Sequence, residues 1–125
     1  ELALAESVRQ ASATGKARPV SLSLKGFYSL ARGASVYVGG DTGPTHLAVA
    51  AGAPVGGLFG PTEWWRNGSP GPEDICVDRT DIGCRTECHR RACSKWICMD
   101  IEVGTVFQAA SKRLQSSSAL APAYS

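Results

Sequence analysis

Val38-Gly39-Gly40-Asp41-Thr42-Gly43-Pro44-Thr45-His46 decides the fold. The residues leading into it, Ala34-Ser35-Val36-Tyr37-Val38, read as a buried strand. Pro44 fits the first turn of a helix, where its missing N–H costs nothing. That helix, Thr45 to Ala51, is rich in alanine and small enough to lie close on a sheet, and Gly52 closes it. Pro54 to Phe59 is the next strand, with Gly56 and Gly57 either weakening it or admitting a close neighbour. A strand, a helix and a strand joined by connections this short form the βαβ unit of a parallel sheet. The predicted class is α/β, a parallel sheet flanked by helices.

Upstream, Leu2, Leu4, Ala5, Val8 and Ala11 recur at helical spacing, so Leu2 to Ala13 reads as an amphipathic helix. Thr14-Gly15-Lys16 stops it, with the glycine suited to a left-handed cap. Pro19-Val20-Ser21-Leu22 is a short predicted strand. Ser23 is placed to cap a helix from Leu24 to Arg32 that buries Leu24, Phe27, Tyr28, Leu30 and Ala31, and Gly33 ends it. Downstream, Gly60 to Pro72 reads as loop and Asp74-Ile75-Cys76-Val77 as one more strand. After an irregular cysteine-bearing segment, Ile101 to Leu114 is a closing helix with Ile101, Val103, Val106, Phe107, Ala110 and Leu114 on one face. The expected division is one domain over 1–115, with a cysteine-rich segment at 76–98, and a flexible tail over 116–125.

At 125 residues the chain has the length of one ordinary domain. Its 43% hydrophobic and 19% charged residues fit a soluble globular protein and argue against a disordered one. A net charge of +2 is too small to imply a nucleic-acid partner. No segment approaches the ~20 consecutive apolar residues of a membrane span. The N-terminus lacks the basic start and apolar run of a signal peptide, so a cytoplasmic location is expected.

Helix N-termini leave backbone N–H groups unpaired and carry a partial positive charge. Glycine removes the side chains that would keep an anion away from them, so the Gly39-to-His46 stretch suits a phosphate or pyrophosphate. In open α/β sheets such crevices lie at the carboxyl ends of strands, where Asp41 and Gly60 would both sit. Taken locally, the same residues also read as ordinary turn-and-cap chemistry, with His46 a structural hydrogen-bonder. The stretch is neither a Walker loop nor the dinucleotide Gly-x-Gly-x-x-Gly.

A longer match separates these readings. Gly40-Asp41-Thr42-Gly43-Pro44-Thr45-His46-Leu47-Ala48, Ala51-Gly52-Ala53-Pro54 and Leu58-Phe59-Gly60-Pro61-Thr62 together resemble the signature of family 9 glycosyltransferases, the heptosyltransferases of the lipopolysaccharide inner core. Cys98-Met99-Asp100-Ile101 resembles the family's Cys-Met-x-x-Ile ending. The resemblance implies a GT-B enzyme with two Rossmann-like domains across a cleft, of which this chain is an incomplete C-terminal, donor-binding half. The implied donor is a nucleotide-sugar, usually ADP-heptose. Asp41, Thr42, Gly43 and His46 fall on the family's donor motif, with the Thr42 and Gly43 amides offered to the diphosphate and His46 beside it. Lys25 and Thr62 fall on positions that family members use near the nucleoside and donor. The catalytic aspartate and a basic phosphate contact belong to parts of the family pattern not found here, so no catalytic residue is assigned and the chain alone is expected to be inactive.

Cys84, Cys88, Cys93 and Cys98 are separated by three, four and four residues, with His89 among them. They read as free thiols of a loop, as disulfide partners under oxidation, or as ligands of zinc or an iron–sulfur cluster. No cofactor is required by the rest of the sequence. Arg85, His89, Arg90, Arg91 and Lys95 make this the most basic stretch, read as a solvated loop. Trp64 and Trp65 are set either to stack on the donor or to pack the loop. Besides the donor, the expected partner is a missing N-terminal domain or a second copy. Peripheral association with the inner membrane is expected only through the full enzyme. Two other classes stay open: a stand-alone nucleotide-binding or dimeric interaction module, and a small cysteine-rich metal-binding protein.

Overall fold

In the computed structural model, three strands lie parallel in sequence order: β1 (Tyr37–Gly40), β2 (Val55–Phe59) and β3 (Ile75–Asp78). The structure describes residues 1–85, 88 and 92–120. Tyr37 stands opposite Val55 and Gly39 opposite Gly57, and across the second ladder Gly57 faces Cys76. Among the described residues five helices accompany the sheet: α1 (Leu2–Ala11), α2 (Leu24–Arg32), α3 (Gly43–Ala50), α4 (Trp64–Asn67) and α5 (Val103–Leu120). Two short 3-10 turns, Gly83–Arg85 and Ile97–Met99, lie in the cysteine segment.

The βαβ unit forms as the alternation and Pro44 dictate. Pro44 opens α3, and Gly52 leaves it at a φ of +79°, a left-handed conformation natural only to glycine. Ser23 Oγ accepts the Gly26 N–H at 3.1 Å, which caps α2 as its position predicts. Small residues then let layers approach. Ala31 of α2 and Ala48 of α3 pack with Ala53, and Phe27 meets Tyr37 edge-on with ring centroids 6.2 Å apart. α3 lies on β1 and β2, and α5 on β2 and β3. The deepest large side chains, Val55 and Phe59, belong to the central strand.

Several expectations need correction. Pro19–Leu22 forms no strand: among the described residues no strand edge pairs with it, and Val20 and Leu22 stay exposed. Of the α2 residues expected inside, only Phe27 and Ala31 face α3 and β1, while Leu24, Tyr28 and Leu30 are exposed, with no second layer over that side among the described residues. α1 stops at Ala11 with no buried residue. The apolar stripe of the closing helix is half covered: Val106 and Ala110 are partly buried, but Val103 and Phe107 are exposed. That helix also continues through Ser116 and Ser117, past its expected end. The stretch read as loop after Gly60 contains α4. Among the described residues, no helix is long and apolar enough to cross a membrane.

Candidate functional site

The site is built where β1 hands over to α3. Tyr37 and Gly39 point to one side of the strand, and Thr45 comes from the first turn of the helix. The Tyr37 hydroxyl and Thr45 Oγ1 lie 3.0 Å apart and satisfy each other, so the fully buried Thr45 has a partner. A β-carbon on Gly39 would stand 2.5 Å from that tyrosine oxygen and 2.8 Å from Thr45 Oγ1. Glycine at 39 is therefore a condition for seating the helix start on the strand.

Beyond Gly40 the turn uses some of the donors that the sequence offers to a ligand. The Thr42 N–H donates to the Gly40 carbonyl at 2.9 Å, so it is engaged in the turn itself. Thr42 O accepts from the N–H groups of Thr45 (3.1 Å) and His46 (3.3 Å), and Pro44 has none. Gly43 is different. Among the described hydrogen bonds none uses its N–H, and a β-carbon there would meet nothing within 4 Å. One amide, on an open side, is what the helix start presents.

His46 follows one turn into α3. Its Nε2 lies 3.0 Å from Asp41 Oδ1, and the second carboxylate oxygen accepts from Asn67 Nδ2 at 3.2 Å. A carboxylate only accepts, so Nε2 is the protonated ring nitrogen in this pair. The Asp41 side chain is 18% exposed and that of His46 54%. The acid is sheltered, and the imidazole is the more exposed partner.

The family model for glycosyltransferase family 9 (heptosyltransferase) matches residues 6–97. The chain belongs to glycosyltransferase family 9. No curated protein and no solved structure matched it. The matched span of this family 9 chain runs from within α1 through β3 and takes in the whole Asp41–His46 corner.

Family membership gives no role to Asn67, which sequence reasoning missed. Trp64 explains its position. The Trp64 ring meets Phe59 edge-on at 5.1 Å and fills the space over Gly57 and Gly68, where β-carbons would strike it. Thus Trp64 packs the loop. Trp65 is 75% exposed, with the Arg66 guanidinium 4.8 Å from its ring centroid. Thr62 is half-buried between β2 and α4. Lys25 is exposed in the first turn of α2, and no described hydrogen bond or ion pair joins it to the Asp41–His46 corner.

The cysteine segment docks at the same end of the sheet. Cys98 and Met99 reach Gly60, directly after β2, and Arg79 donates to the Asp100 carbonyl at 2.9 Å. Arg79 also grips both Asp81 oxygens at 2.8 Å, which holds the Asp81 carboxyl below its ordinary value and raises the guanidinium. Of the cysteines, Cys84 is exposed and Cys88, Cys93 and Cys98 are partly covered. Among the described residues no three His, Cys, Asp or Glu side chains come together as metal ligands. His89, Arg90 and Arg91 lie outside the described residues, and Lys95 is exposed.

Proposed function

We propose that this chain binds the donor nucleotide-sugar of a heptosyl-type transfer in lipopolysaccharide core synthesis, an ADP-heptose-like molecule, at the β1–α3 corner. The observation that carries the reading is the conjunction of the open Gly43 N–H with the Asp41-held imidazole of His46. The amide and the positive end of α3 attract the diphosphate. Asp41 takes the His46 Nε2–H, so it is the protonated imidazolium, through its Nδ1–H, that stabilises the phosphate charge growing as the sugar departs. Trp65, exposed on α4, offers a face to the base or sugar. Thr62 and Lys25 are carried as outer donor contacts on family resemblance.

The corner is one wall of a cleft, and transfer needs an acceptor and a base on a facing wall. The isolated chain is accordingly proposed to bind donor without turning it over, in the cytoplasm, peripheral to the inner membrane through the whole enzyme. Leu2 and Leu4 on α1 and Leu24 and Leu30 on α2 stand exposed, which favours a further domain or a second copy of this chain as a cover for these residues. A solution mass measurement separates a dimer from a monomer. Calorimetric titration with ADP tests the donor site: ADP binds, and His46→Ala or Asp41→Ala abolishes or strongly weakens it. Equal affinity in all three proteins refutes the proposal.

A further inference from the structure

We infer that Asn67 is a positioning residue of the donor site, acting on His46 through Asp41; this rests on the donor-site reading. A free carboxylate turns about its last side-chain bond and offers either oxygen to a neighbour. Here each oxygen has a different partner. Oδ1 takes the His46 Nε2–H at 3.0 Å, and Oδ2 takes the Asn67 amide at 3.2 Å. The second bond stops the rotation, so the first is kept in one direction.

Asn67 can do this because it is anchored independently of the helix it serves. It closes α4, its own N–H donates to Glu63 O at 3.0 Å, and the next residue, Gly68, donates to Trp64 O at 2.7 Å. Trp64 in turn is wedged on Phe59 in the central strand. The chain of contacts runs from the β2 core through α4 to Asp41 and then to the imidazole. It ties the loop after β2 to the loop after β1. Asn67 bonds to Asp41, so its effect is on where the ring points.

The test is a double-mutant cycle on ADP affinity, read by calorimetry, together with the ring ¹⁵N shifts of His46 at alkaline pH. Asn67→Ala should weaken ADP about tenfold, the size expected for one hydrogen bond to a charged group. Asp41→Ala combined with Asn67→Ala should bind no more weakly than Asp41→Ala alone. Asn67→Asp keeps the shape but sets a second carboxylate against Asp41, and it should weaken ADP more than Asn67→Ala does. In the wild type the ring shifts should report Nε2–H, and in Asn67→Ala a mixture of both tautomers. Additive losses in the cycle, or an unchanged ring signature in Asn67→Ala, overturn the positioning role. If the wild type binds no ADP, the donor reading itself has failed, and the ring shifts still decide what Asn67 does to His46.

Discussion

Arg113 Nε donates to Asp74 Oδ1 at 2.7 Å, and the two side chains are only 11% and 6% exposed. The same carboxylate accepts the Val55 N–H at 2.8 Å and the Ser69 hydroxyl. One aspartate therefore joins the central strand, the loop before β3 and the last helix. Removing one partner of a buried pair is costly because the other charge is left uncompensated. Asp74→Ala strands both the guanidinium and a strand N–H, and it should destabilise the fold by about 3 kcal/mol. Arg113→Met keeps the apolar stem and leaves the carboxylate two donors, so it should cost less. Urea unfolding midpoints check the order; equal midpoints would contradict it.

Gly57 lies under the Trp64 ring, and an added methyl would collide with it. Gly57→Ala should cost about 1 to 3 kcal/mol, the usual range for overpacking. Because Trp64 carries α4, near-ultraviolet circular dichroism should change and ADP should bind more weakly. A loss of stability with unchanged ADP affinity would separate α4 from the site.

At Gly39 the crowding is with a hydrogen bond. Tyr37→Phe removes one partner of Thr45 and should cost about 1 kcal/mol. Gly39→Ala forces both groups apart and should cost more, with loss of ADP binding, since the start of α3 is seated there. Thermal melts of the two variants provide the comparison.

The Arg79–Asp81 pair sets an acid dependence of known sign. Asp81 is held below its ordinary value of 3.8, chiefly by its hydrogen bonds to Arg79. A carboxyl depressed in the folded state adds stability above its unfolded value, and this is lost as pH falls through the folded one. The pair is exposed, so the contribution is small and weakened by salt. Asp81→Asn should therefore melt slightly below wild type at neutral pH, and the gap should close on acidification below 3.8. A gap that widens in acid would reverse the assignment.

How legible the fold was depends on the range of the contacts. Ser23, Pro44 and Gly52 act on their own helices, and their positions could be read directly. Pro19–Leu22 has the composition of a strand, but a strand exists only with a ladder partner, which no local pattern reveals. Helical spacing predicts Leu24 inside and groups Phe107 with the apolar face of the closing helix, yet both are exposed, since burial depends on whether another layer covers that face. At the site, Asp41, Gly43 and His46 were readable because five residues of turn and helix bring them together. Asn67 was not, since its bond to Asp41 spans 26 residues and depends on Trp64 folding the loop back. The Thr42 amide was assigned outward, whereas the turn directs it to Gly40.

The most direct measurement is amide chemical-shift mapping of the ¹⁵N-labelled chain during titration with ADP. The Gly43 N–H should move furthest, as a diphosphate oxygen takes up a donor that no described hydrogen bond uses, and His46 should shift with it. Saturable shifts confined to the β3–α5 groove around Cys76 and Lys112, or no shift at Gly43 at saturating ADP, would contradict the account.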